Sequence, residues 1–175
     1  MNARYRYHLA RHWGQAPGPV VLWVMLNPST ADDEQDDPTI RRCIGFSRGW
    51  GFHGLRVVNL FALRATDPRA LADSLDPVGM ENDIAITAAV RDGNTLRVIA
   101  AWGAHRFARD RALEVKHLLW REAARHLSCT VSHLGLTRSG APRHPLYVPA
   151  SQQPIDWPSP ARGARAADDT PESEE

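Results

Sequence analysis

Val20-Val21-Leu22-Trp23-Val24-Met25-Leu26, followed at once by Asn27-Pro28-Ser29, decides the fold of this chain. The run is apolar without alternation, rich in valine, and stopped by Asn-Pro, which suits a strand covered on both faces. A strand of that kind implies a largely parallel sheet with helices on either side.

Working outward, residues 4–13 alternate partially among Arg, Tyr, His and Leu and predict an edge strand that turns near Trp13-Gly14. On the other side, Asp37-Pro38 offers a capping carboxylate and a proline at the first turn, so a helix begins there. Ile40, Cys43 and Ile44 recur at helical spacing, glycines 49, 51 and 54 close the helix, and Leu55-Arg56-Val57-Val58 is a second strand ending at Asn59. The long connection over 61–77 leads to a helix over 82–91 and a third strand, 96–101, ending at Trp102-Gly103. A longer helix over 106–126 precedes a fourth strand, 130–134, and the His144-Pro145-Leu146 signal follows. The expected fold class is therefore α/β, a three-layer α/β/α domain over 1–150 with a parallel four-stranded central sheet. Residues 151–175, rich in proline, alanine and acid, are expected to form a disordered tail.

In such a sheet the four polar signals fall along one edge, where open α/β sheets bind ligands. Composition narrows the ligand class. The net charge of +1 divides into a basic portion of +5 over 1–153 and an acidic remainder, and almost all the positive charge is arginine. Arginine forks suit phosphate. The two cysteines, Cys43 and Cys129, lack zinc or iron–sulfur spacing, and the histidines lack a zincin pattern, so no metal and no cofactor are expected. The carboxylates over 32–37 admit a divalent cation, but a solvated loop with Asp37 as a helix cap is the reading adopted. No apolar window approaches a membrane span and no signal peptide opens the chain, so a cytoplasmic protein without membrane contact is expected.

Asn-Pro-Ser-Thr-Ala at 27–31, Asp-Asp-Pro-Thr-Ile-Arg-Arg at 36–42, Asn-Leu-Phe-Ala-Leu-Arg-Ala at 59–65, Trp102-Gly103 and Gly-Ala-Pro-Arg-His-Pro-Leu-Tyr at 140–147 resemble a bacterial and phage domain-of-unknown-function family. More distantly, Leu26-Asn27-Pro28-Ser29, Asn59 and His144-Pro145 are similar to the ordered motifs of the uracil-DNA glycosylase superfamily. That resemblance implies a glycosylase-like fold and DNA-base recognition with N-glycosidic hydrolysis, the base being uracil or a modified pyrimidine. It further implies that Asn27 orients a water, His144 donates to the departing base, and Asn59 reads the base edge beside Pro28 and Ser29. Phe46 is expected as the stacking ring, with Trp50 or Phe52 as substitutes. Because an amide is no base, Asp32, Asp33, Asp36 and Asp37 are the candidate general bases. Arg41, Arg42 and Arg143 are candidate phosphate contacts. The expected partner is DNA, as a flipped base or a single strand. Lys116, the chain's single lysine, falls mid-helix, so no Schiff-base lyase step is expected. Three other function classes fit the residues: a non-catalytic nucleic-acid-binding module with the same pocket, an enzyme acting on free nucleosides or nucleotides, and a structural or adaptor protein.

Overall fold

The computed structural model describes residues 4–14, 18–29, 35–125 and 129–159. Strand β1 (Leu9–His12) precedes β2 (Val20–Met25), helix α1 (Pro38–Gly49), β3 (Gly54–Asn59), the single turn α2 (Arg69–Ala72) and α3 (Asn82–Arg91). There follow β4 (Thr95–Ala100), α4 (Arg109–Arg125), β5 (Thr130–His133) and β6 (Ile155–Asp156), with 3-10 turns at Arg106–Ala108 and Pro145–Tyr147.

The sheet has six strands in the order β1-β3-β2-β4-β5-β6. Its inner pairs, β3-β2, β2-β4 and β4-β5, are parallel, and both outer pairs are antiparallel. The expected wholly parallel four-stranded sheet is thus corrected to a mixed sheet of six. Local pattern does not announce β6, because it is two residues long and lies in a proline-rich segment. Long-range bonds hold it instead: Arg97 Nη1 donates to Asp156 Oδ1 at 2.7 Å, and Trp157 N donates to Val131 O at 2.8 Å. Residues 151–159 therefore depart from the expected disordered tail, while 160–175 lie outside the described residues.

Why β2 carries an unbroken apolar run is visible in its two faces. Leu22 and Val24 pack with Ile86 and Val90 of α3 and Val115 and Leu119 of α4. Val21, Trp23 and Met25 pack instead with Ile40, Cys43 and Phe46 of α1. Helices thus cover both faces. Asp37 caps α1 as expected, its Oδ1 accepting from Ile40 N at 2.8 Å. Trp23, fully buried, donates to Ser47 Oγ at 3.0 Å, and that hydroxyl donates to Cys43 O. Burial keeps both thiols protonated, raising the Cys43 pKa well above the usual thiol value and that of Cys129 to about 11. No described helix is long and apolar enough to cross a membrane.

From β2 the chain steps to β3 on one side and, through α3, to β4 on the other. The carboxyl ends of β2 and β4 therefore flank a topological switch point.

Candidate functional site at the strand ends

A cleft of about 710 Å³ opens at that edge. Asn27 and Ser29 enter it from the end of β2, Asn59 from β3, Trp102 to His105 from β4, and Arg143-His144 from the segment after β5. The two amides and the imidazole picked out in the sequence line one space, although 117 positions separate the first from the last.

Asn27 commits its amide nitrogen to protein. Nδ2 donates to Pro28 O at 2.9 Å and to Ala65 O at 2.7 Å, tying the end of β2 to the loop before α2. Its Oδ1 is left as the atom that accepts from a ligand or water. Pro28 is buried, its carbonyl also accepting from Ala65 N, and contributes no wall of the cleft.

Asn59 differs in kind. Only 2% of it is exposed, it lines the cleft, and its side-chain amide makes no hydrogen bond to any described residue. Its backbone, by contrast, is clamped from behind: Asn82 Nδ2 donates to both Asn59 O and Leu60 O at 3.0 Å, and Arg111 Nε donates to Leu60 O at 2.9 Å. Asn82 and Arg111, neither of which stands out in the sequence as a site residue, fix the corner that presents Asn59. Asn82 carries one signal, an amide at a helix start; Arg111 carries none beyond its place on a helix.

His144 opens the 3-10 turn Pro145–Tyr147, and its Nδ1 accepts from Leu146 N at 3.4 Å. A neutral ring so bonded carries its proton on Nε2, as a donor. Burial lowers its pKa, the neighbouring His105 lowers it further, and the charge of Asp37 acts in the opposite direction. The imidazole is accordingly neutral at pH 7. Gly103, at φ +75°, runs the chain between His105 and His144, a conformation that any Cβ would strain.

The remaining candidates scatter. Phe46 belongs to the core, stacked on Trp50 with 5.3 Å between ring centroids and packed on Trp23, and does not line the cleft. Trp50 and Phe52 pack against that same cluster. The exposed aromatic ring on the cleft is Tyr147, 78% exposed. Arg42 donates to Val148 O at 2.6 Å and to Pro145 O, and covers the Phe46 ring, so it braces the His144 turn rather than facing a phosphate. Arg41 bonds Asp36 O, outside the cleft lining. Arg143 does line the cleft, with Arg138. Asp36 is held by Arg11 at 2.9 Å, and Asp32 and Asp33 lie outside the described residues. Asp37 is the one carboxylate lining the cleft among the described residues. No group of metal-ligating side chains occurs among those residues.

Residues 6–146 match the family described as Protein of unknown function (DUF1643), and the chain belongs to that family. No curated protein and no solved structure matches the chain.

Proposed function

We propose, from the geometry of the cleft, that the protein takes a single nucleobase extruded from DNA and hydrolyses its N-glycosidic bond. The observation that carries this reading is Asn59. An amide that opens only into the cleft, at a clamped strand end and with no partner among the described residues, is satisfied by a ligand that offers one donor and one acceptor side by side. The Watson–Crick edge of uracil or a modified pyrimidine does so. The uracil-DNA glycosylase resemblance described above supports the same assignment.

In this reading the Asn59 amide bonds the base edge and Tyr147 supplies a stacking face. Asn27 Oδ1 accepts from a water, and the Asp37 carboxylate takes its proton as the oxygen attacks C1′. The C1′–N bond breaks with its electron pair moving to the base, and the Nε2–H of neutral His144 donates to the base oxygen that gains charge. The uncharged imidazole stabilises that anion as a hydrogen-bond donor. Asp37 also caps α1 through Oδ1, which leaves Oδ2 for the water.

The test is release of base from single-stranded oligonucleotides containing deoxyuridine or 5-hydroxymethyl-deoxyuridine, read as alkali-labile sites. Asp37→Asn keeps the cap and removes the charge, and should slow release about 10²-fold. Release by the wild type at the rate of an empty control would overturn the reading. The engagement of Asn27 Nδ2 and Asp37 Oδ1 by the fold favours a second reading, a module that binds the base and leaves it attached. Tight binding without alkali-labile sites would select it.

A further inference from the structure

A second cavity, of about 610 Å³, lies behind the wall formed by Trp102, Gly103, Ala104 and His105, which it shares with the cleft. Arg106, Arg109 and Lys116 line it, and no carboxylate among the described residues does. None of these three cations forms an ion pair with any described residue. Lys116 instead lies over two indoles, with Nζ 4.3 Å from the Trp157 centroid and 4.6 Å from that of Trp120. Burial lowers its pKa. The opposite wall is the turn 139–141, whose Gly140 N donates to Thr137 O.

Three cations with no acidic partner among the described residues, around one concavity, have a deficit that an anion makes good. The shared wall says which anion. We propose that this pocket is a phosphate subsite, receiving the phosphate next to the nucleotide whose base enters the cleft. The inference rests on the cleft being a base site. In a nucleotide the sugar separates base from phosphate, and here the ridge at Gly103 separates the amide-lined cleft from the cation-lined pocket. Lys116, held by the two indoles, supplies charge, while Arg106 and Arg109 at the pocket's mouth supply forked donors that bind phosphate oxygens in pairs. A strand's phosphodiester and the terminal phosphate of a free nucleotide present the same oxygens, so the test uses both.

Calorimetric titration of the full chain and of the Arg106→Ala/Arg109→Ala variant, at several salt concentrations, would use two probes: an oligothymidylate of about ten nucleotides and thymidine 3′,5′-bisphosphate. Both arginines are exposed, so the variant keeps the fold. The expected result is at least tenfold weaker binding by the variant and a salt slope shallower by about 0.7 for each phosphate no longer neutralised. Weakening with the oligonucleotide alone assigns the subsite to a strand, and weakening with both probes to a terminal phosphate. Lys116→Met, which keeps the packing on the indoles, should weaken binding in the same direction. Equal affinity and slope in wild type and variant, or no binding of either probe by wild type, overturns the subsite. Arginine-dependent binding without base release would sink the hydrolytic reading and leave the subsite standing. Base release indifferent to both arginines would do the reverse.

Discussion

Two polar clusters in this protein invite comparison: the one around Glu122 and the one around Asn59. Glu122 is 1% exposed, and its carboxylate takes hydrogen bonds from Arg121, Arg91 and Arg125 at 2.8 to 3.3 Å. Asn59 is as deeply set, and its amide has no partner among the described residues. The first cluster is complete and belongs to the fold. The second is incomplete, and its unmade bonds coincide with a cleft and with the carboxyl ends of parallel strands. A buried polar side chain is informative less by its presence than by whether its bonds are already made.

The sharpest way to break the contrast is Asn59→Leu. Because no bond to a described residue is lost, thermal stability should hold or rise, while base release falls about 10³-fold as the site loses its edge-reading pair. A stability loss of several kcal/mol, unaccompanied by a loss of activity, would place Asn59 with Glu122. Asn82→Leu should behave oppositely: two buried carbonyls lose a donor, and urea unfolding should report a loss of ~2–3 kcal/mol.

Glu122→Gln is expected to cost less, ~1–2 kcal/mol at neutral pH, because its arginines are more than half exposed. The Arg121 guanidinium, with Arg91 and Arg125, holds the Glu122 carboxyl down to about 2 against an ordinary 4.5. Between those values the unfolded chain binds the proton and the folded chain does not. The contribution is therefore whole above about pH 4.5 and is lost as pH falls towards 2. Glu122→Gln should flatten the stability profile in that window and leave base release unchanged.

The smallest effect concerns the imidazoles. His105, His133 and His144 are all lowered from 6.5, chiefly by burial, so the unfolded chain protonates first on acidification. Their share of stability is complete above pH 6.5 and wanes as pH falls through their folded values. His144→Gln should remove part of that slope, by under ~1 kcal/mol, in thermal melts between pH 7 and 5.

Much of this is legible in the order of residues alone. The unbroken apolar run of β2 announces burial on both faces, and the polar residue after each apolar run marks the edge where the cleft opens. What escapes is everything set by distant partners. Phe46 has the spacing of a helix face, and spacing alone does not say whether that face meets the core or a ligand. Arg42 has a phosphate contact's chemistry, but the carbonyls it binds belong to residues 103 and 106 positions further on. Trp157 and β6 sit in a segment whose composition suggests disorder, and hydrogen bonds to Val131 and Trp120 hold them in place.

The central claim is most directly examined by a crystal structure of the protein with a short single strand containing deoxypseudouridine, whose base is joined through carbon and is not cleaved. The account predicts the base edge bonded to the Asn59 amide, its oxygen within reach of His144, and an adjacent phosphate in the pocket of Arg106 and Arg109. A strand bound elsewhere, with the Asn59 amide still without a partner, would contradict it.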